Sequence, residues 1–100
     1  MAKAVAVGVM RVVLHIPESH SLKERRQVVL GLVRRIRSEL GMAVAEVTEG
    51  DRWQIAELAI ACVSNERQHA DEMLARVLSF IEARSAEAVV GTVTTEILSV

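Results

Sequence analysis

Ser21-Leu22-Lys23-Glu24-Arg25-Arg26-Gln27-Val28-Val29, running on to Leu40, reads as a helix with both of its ends marked. Ser21 followed three residues later by Glu24 is a capping box. The hydroxyl accepts from the backbone N–H of Glu24, and the carboxylate reaches back toward the N–H of Ser21. Leu22, Val29, Val33, Ile36 and Leu40 recur on one face, with Val28 and Leu32 beside them, at the period of an amphipathic helix. Gly41 stands where a left-handed C′ residue ends a helix. Six of the chain's 12 Lys and Arg residues lie between Lys23 and Arg37. Lys23, Arg26, Arg34 and Arg37 share one flank, broken only by Leu30.

Outward from this helix the pattern changes from 3.6 residues to two. Upstream, Lys3 to Ile16 is β-branched and nearly all apolar, as a central strand should be. Its alternation sets Met10, Val12, Leu14 and Ile16 against Val9, Arg11, Val13 and His15. The first set is assigned to the core because Arg11 and His15 belong to the second. Downstream, Met42 to Thr48 and Trp53 to Ser64 read as two strands joined by Glu49-Gly50-Asp51-Arg52, which has the composition of a hairpin turn. A four-residue loop sets Thr48 opposite Trp53. Val44, Glu46, Ile55 and Glu57 then share one face, while Ala45, Val47, Leu58, Ile60 and Cys62 point to the core. Asn65 with Gln68 offers a second helix start, and Ala70, Met73, Leu74, Val77, Phe80 and Ile81 form its buried stripe. Ala88 to Leu98 closes the chain as a Val/Thr-rich strand.

The order β-α-β-β-α-β is the split βαβ, or ferredoxin-like, arrangement of the α+β class. Residues 1–100 are expected to form a single domain, with both helices on one face of a four-stranded sheet. Strands one and three are expected side by side and parallel in its middle. The other sheet face then has no helix to cover it. It should carry Val9, Val13, Val44, Ile55, Ala59, Val63 and Trp53 among Arg11, His15, Glu46 and Glu57, which is more apolar than a solvated face. Hydrophobic residues make up 51% of only 100, and such an excess on a short chain points to a subunit interface. Arg11, Val13, His15, Glu46, Trp53 and Glu57 are therefore the candidate open-face site or interface, and a homo-oligomer is expected.

The segments HIPESHSLKERRQVV, VAEV, DRWQIAEL and VSN resemble the YlxP-like family of short bacterial proteins of uncharacterised function. Ser-Leu-Lys-x-x-Arg at Ser21 to Arg26, and Ala45-Glu46-Val47 followed by Asp51-x-Trp53-Gln54, carry the likeness, which spans almost the whole chain. The resemblance implies a ferredoxin-like fold and no established activity. Similar proteins are often encoded beside translation and ribosome-maturation factors, which implies a role near the ribosome. It supplies no catalytic residue.

The residues themselves exclude more chemistry than they assign. Glycines at 8, 31, 41, 50 and 91 make no dinucleotide, P-loop or GXXG pattern. With Trp53 and Phe80 as the only aromatics, the sheet lacks the stacking platform of an RRM. His15, His20, His69 and Cys62 have no metal-ligand spacing, and no cofactor is expected. His20 precedes a helix N-terminus, where with Lys23, Arg25 and Arg26 it could hold a phosphate. Cys62, on an apolar strand, reads as an inert thiol, and a lone cysteine suits a reducing, cytoplasmic setting. No apolar run is long enough to span a membrane. Net charge is −1, so affinity for nucleic acid would have to come from a local patch. Lys23, Arg26, Arg34 and Arg37 are that patch, the candidate contacts to a phosphate backbone. The alternative is a solvated helix face, with Arg stems covering the sheet edge and Arg25 or Arg35 paired to carboxylates. The functional expectation is a non-catalytic module associated with structured RNA or the ribosomal subunits. Against it stands an oligomer that binds or transforms a small molecule between its sheets, in a cavity lined by Arg11, His15, Glu46 and Glu57.

Overall fold

The computed structural model describes residues 4–100. Lys3, expected to open the first strand, lies outside the described residues. Six elements follow in the expected order: β1 (Ala6–His15), α1 (Leu22–Leu40), β2 (Ala43–Glu46), β3 (Ile55–Ser64), α2 (Arg67–Glu82) and β4 (Val89–Ser99). The strands form one sheet in the order β2-β3-β1-β4.

Strands β1 and β3 are neighbours in the middle, but they are antiparallel. The expectation of a parallel pair fails for a topological reason. The crossover through α1 leaves β2 parallel to β1, and the hairpin from β2 reverses the chain before β3 slots between them. Each neighbouring pair is then antiparallel.

Both helices lie on one face. α1 covers β2 and β3, and α2 covers β1, β3 and β4. Between helices and sheet sit Met10, Val12, Leu14 and Ile16 from β1 and its exit, and Leu58, Ile60 and Cys62 from β3. Val29, Leu32, Val33 and Ile36 of α1 and Ala70, Leu74, Val77 and Ile81 of α2 complete this core. These are the positions that the two periodicities mark.

The hairpin differs. Register partners are Ala43–Ala61, Val44–Ile60, Ala45–Ala59 and Glu46–Leu58, and Val47 N–H donates to Glu57 at 2.8 Å. This is three residues away from the register that sets Thr48 against Trp53. An odd shift turns every side chain of the short strand to the other face. Val44 is therefore buried in the core, and Glu46 lies on the helix side, whereas Ala45 and Val47 join the open face. The third strand begins at Ile55, so Trp53 belongs to the turn before it.

Candidate functional site

The first helix begins as the capping box predicts in one half and not in the other. Ser21 Oγ accepts from Glu24 N at 3.1 Å. The Glu24 carboxylate reaches past Ser21 and accepts from His20 N–H at 2.6 Å. His20 is thus fixed through its backbone one residue before the cap. At the other end Gly41 is left-handed, with φ 64°; its N–H donates to Arg37 O at 3.1 Å, and the Met42 N–H donates to Ile36 O at 3.5 Å. That conformation is the one glycine adopts without a Cβ penalty.

The basic residues of α1 divide into those that hold the fold and those left at its surface. Arg25 is 5% exposed and occupies the apolar face with Val29 and Ile36. Its Nη1 donates to the carbonyl of Arg52 at 2.7 Å and lies 3.4 Å from that of Gly50, while Nε finds no acceptor among the described residues. A charge buried this way is tolerated because it is hydrogen-bonded. The expected carboxylate partner is replaced by loop carbonyls. Arg25 was readable as an exception: a cation at the spacing of the buried stripe needs an internal acceptor. Arg37 donates to Val44 O at 2.7 Å, satisfying a carbonyl on the outer edge of β2. Arg35 approaches Glu87 at 3.7 Å, with both side chains about half exposed. Lys23, Arg26 and Arg34 are exposed and hold no ion pair or hydrogen bond among the described residues. Arg26 instead lines a shallow depression with Val29, Leu30, Val33 and Glu46, so the flank carries one carboxylate beside its cations.

The open-face set separates into three places. Arg11 Nε donates to Glu57 Oε2 at 2.8 Å in an ion pair at the centre of the face. The two residues line a cleft with Val13, Val47, Thr48, Glu49 and Ile55. Thr48 Oγ1 accepts from Glu57 N–H at 2.9 Å and donates to Glu46 at 2.6 Å, closing the strand end. His15 and Trp53 lie at one end of the sheet, where they line a groove of about 580 Å³ with Ile16, Pro17, Arg52, Gln54 and Ile55. Glu46 is on the opposite side of the sheet. A sheet-to-sheet cavity would therefore be lined by Arg11, His15 and Glu57 without it.

The remaining open-face residues of β1, β2 and β3 are apolar, while β4 adds Thr94 and Glu96. Val7, Val63 and Leu98 align in one row across the sheet, and Val9, Ala61 and Ala43 in the next, where Glu96 of β4 stands opposite Val9. Val63 is 68% exposed. Cys62 is buried, and its thiol donates to Ala70 O at 3.4 Å. Desolvation pushes the thiol above its ordinary range, against a smaller opposing effect of a backbone hydrogen bond from Gly8. Among the described residues no group of His, Cys, Asp and Glu could hold a metal ion, and no helix is long and apolar enough to cross a membrane.

Residues 7–94 match the family described as Protein of unknown function (DUF503). The chain belongs to that family. It is also 34% identical over 66 residues to the Uncharacterized protein YlxP of Bacillus subtilis (strain 168), covering 66% of this chain and 72% of that protein. The fold is similar to the de novo designed protein Foldit4, with a TM-score of 0.54 at 13% identity, over 94% of this chain and 96% of that one. It also resembles part of the VAO-type flavoprotein MtVAO713 from Myceliophthora thermophila C1, with a TM-score of 0.50 at 14% identity. That likeness covers 99% of this chain and 18% of the flavoprotein. Both structural likenesses concern the fold alone.

Proposed function

We propose that this DUF503 protein is a non-catalytic binding module that engages structured RNA, with the ribosomal subunits as the setting, through the exposed flank of α1. The observation that supports this reading is the division of labour among the helix's cations. Arg25 and Arg37 are taken up by carbonyls of the β2–β3 loop and the β2 edge. Lys23, Arg26 and Arg34 lie in solvent on one flank with no acceptor among the described residues. A row of free cations on a rigid helix suits phosphate oxygens spaced along a backbone. Arg37 leaves the proposed contact set, because rotating it toward RNA would leave an edge carbonyl without its donor. The protein is proposed to work in the cytoplasm.

The test is a salt titration of binding to ribosomal subunits and to a structured RNA. Arg26→Gln with Arg34→Gln should lower the slope of log affinity against log salt by roughly 0.7–0.9 per lost phosphate contact. Arg35→Gln, on the other side of the helix, should change it much less. Equal losses from both would mean generic charge attraction, and no binding at low salt removes the reading.

A second copy is proposed to cover the open sheet face. Strands of 10, 4, 10 and 11 residues, at about 3.3 Å per residue and about 4.8 Å apart, present a face of roughly 550 Å². Two such faces together reach roughly 1,100 Å², just above the roughly 1,000 Å² that a biological interface should clear. The Arg11–Glu57 pair at its centre could exchange partners across a two-fold axis. Val13→Glu would place an unpaired charge in that interface and should yield a monomer with its helical signal intact. A monomeric wild-type mass by light scattering at micromolar concentration ends this part.

A further inference from the structure

Trp53 stands apart from the rest of the molecule's apolar surface. It is 55% exposed on the turn before β3, so the core does not account for it. Yet the backbone on both sides of it is fastened. On one side the buried Arg25 guanidinium holds the Arg52 and Gly50 carbonyls. On the other, the Gln54 carboxamide donates to Pro17 O at 3.0 Å and approaches Ser19 O at 3.4 Å. Ile16 N–H also donates to Gln54 O at 2.8 Å. A buried cation and an exposed carboxamide thus fix the backbone on either side of a ring left in solvent. Beside the ring runs the groove of about 580 Å³, with Ile16, Pro17 and Ile55 as apolar lining and Arg52 and His15 as its titratable members. The volume lies within the range of small-ligand pockets. Glu49 lines a different cleft, on the open face with Arg11 and Glu57. Asp51 is exposed and does not line the groove.

We infer that this groove takes one unpaired nucleotide of an RNA, its base stacked on Trp53 and its phosphate against Arg52. The chemistry favours a flat ring carrying an anion over an aliphatic chain. The indole is more than half exposed, the lining is largely apolar, and the groove's titratable residues are an arginine and a histidine with no carboxylate. Stacking on an aromatic is tolerant of base identity and is strongest when the platform is already rigid. Pro17 and Ser19, which receive the Gln54 bonds, lead directly into the helix start that carries Lys23 and Arg26, so one RNA could meet both places. The inference rests on the RNA reading above and adds to it a preference for a bulge, loop or end over a continuous duplex.

Trp53 is the chain's one tryptophan and there is no tyrosine, so intrinsic emission reports this groove directly. The experiment titrates the full chain with a 12-nucleotide single-stranded oligoribonucleotide and with a blunt, fully paired duplex of equal charge. The expected result is quenching by the single strand that saturates with binding, and weaker quenching by the duplex. Trp53→Ala should weaken single-strand binding by roughly 5- to 150-fold, as base–aromatic stacking is worth. Trp53→Phe, which keeps a stacking face, should recover much of it. Because Trp53 is exposed, an unchanged melting temperature should accompany both variants. Binding with unaltered emission, or an affinity that survives Trp53→Ala while Arg26→Gln with Arg34→Gln lowers it, overturns this inference and leaves the helix reading standing. Equal quenching by the duplex also overturns it. An emission change that depends on protein concentration without RNA would assign the groove to a second copy instead. Absence of any RNA binding removes both readings together.

Discussion

The two helices lie side by side on one sheet yet are held there by different means. α1 is fixed by polar contacts at defined points. Ser21 caps its start, Gly41 ends it, Arg25 ties it to the β2–β3 loop and Arg37 to the β2 edge. α2 has no side-chain hydrogen bond at its N-cap, Glu66, and no left-handed terminus. Only its last turn is closed by a side chain, Arg84, which donates to Phe80 O at 2.8 Å and lies over the Phe80 ring. What holds α2 is close approach. A Cβ on Gly8 of β1 would come within 2.9 Å of Leu74 Cδ1 and 3.0 Å of Cys62 Sγ, so glycine there lets the helix settle on the centre of the sheet. One helix is located mainly by specific acceptors, the other mainly by shape, its polar ties to the sheet being Arg67 to Ser99 Oγ and Cys62 to Ala70 O at the first turn. Polar fastening at the edge leaves α1's outer flank free of packing duties, which is where the exposed cations are.

If that contrast is right, α2 should be the more sensitive to volume. Leu74 is fully buried, and Leu74→Ala should destabilise by about 2–5 kcal/mol, read as a shift in urea midpoint at unchanged slope. A loss under about 1 kcal/mol would mean that the helix relaxes onto the sheet and that its seat is not fixed by close packing. The next largest effect belongs to the same contact seen from the sheet. Gly8→Ala adds a single carbon, and the overlap with Leu74 and Cys62 should cost about 1–3 kcal/mol. Both obstructing atoms are side-chain ends, so the low half of that range is expected. The double variant Gly8→Ala with Leu74→Ala should cost less than the sum, because the new methyl enters the space that Leu74 vacates. Strict additivity would separate the two sites and break the account of α2.

α1 should respond instead at its ends. Ser21→Ala should cost about 1 kcal/mol and lower the melting temperature by roughly 4–8 °C for a two-state domain of this size. Asn65→Ala, before α2, should do much less, since the N-cap of that helix is Glu66 and no side chain caps it. Equal losses at the two starts would erase the distinction between polar and apolar fastening.

The same difference sets how much could be read beforehand. Contacts made by specific polar types leave marks in the sequence: Ser21 and Gly41 bound α1 where they were expected. Strong alternation also survives, so the core parities of β1 and β3 are those of Met10-x-Val12-x-Leu14 and Leu58-x-Ile60-x-Cys62. The β2–β3 register is not legible in the sequence because Ala43-Val44-Ala45-Glu46 says little about which side faces in, alanine being acceptable on either. Glu49-Gly50-Asp51-Arg52 resembles a tight turn. Tertiary bonds from Arg25 and Gln54 draw it into a longer loop, and that moves Glu46 off the open face. The Trp53 groove depends on that loop, so its lining could not be assembled from spacing alone. Gly8 was equally silent, since close approach of α2 leaves no mark beyond the glycine itself.

The smallest effect concerns the thiol beneath the first turn of α2. Cys62 is 6% exposed and donates to Ala70 O, the buried one of two side-chain hydrogen bonds between the sheet and that turn among the described residues, the other running from Arg67 Nη1 to Ser99 Oγ at 2.9 Å. Burial raises its pKa above the ordinary value of 9.0. In the native state the thiol therefore keeps its proton at a pH where the unfolded chain has begun to lose it. The folded protein then binds more protons than the unfolded one, and stability falls as pH rises. The contribution is fully present below 9 and drains away through and above it. Were the native thiol still fully protonated, the loss at pH 9 would be about 0.4 kcal/mol, the free energy of half-ionising the unfolded thiol. Lysines and arginines also titrate at alkaline pH, so the informative quantity is the difference between wild type and Cys62→Ala in urea midpoint. That advantage should be constant from pH 6 to 8 and should narrow as pH passes 9. Slow alkylation of Cys62 by iodoacetamide at pH 8, at a rate set by unfolding, should accompany it. A difference that stays flat to pH 10, or rapid alkylation of the native protein, would mean that the first turn of α2 lifts from the sheet. The helix would then be held by Leu74, Val77 and Ile81 alone.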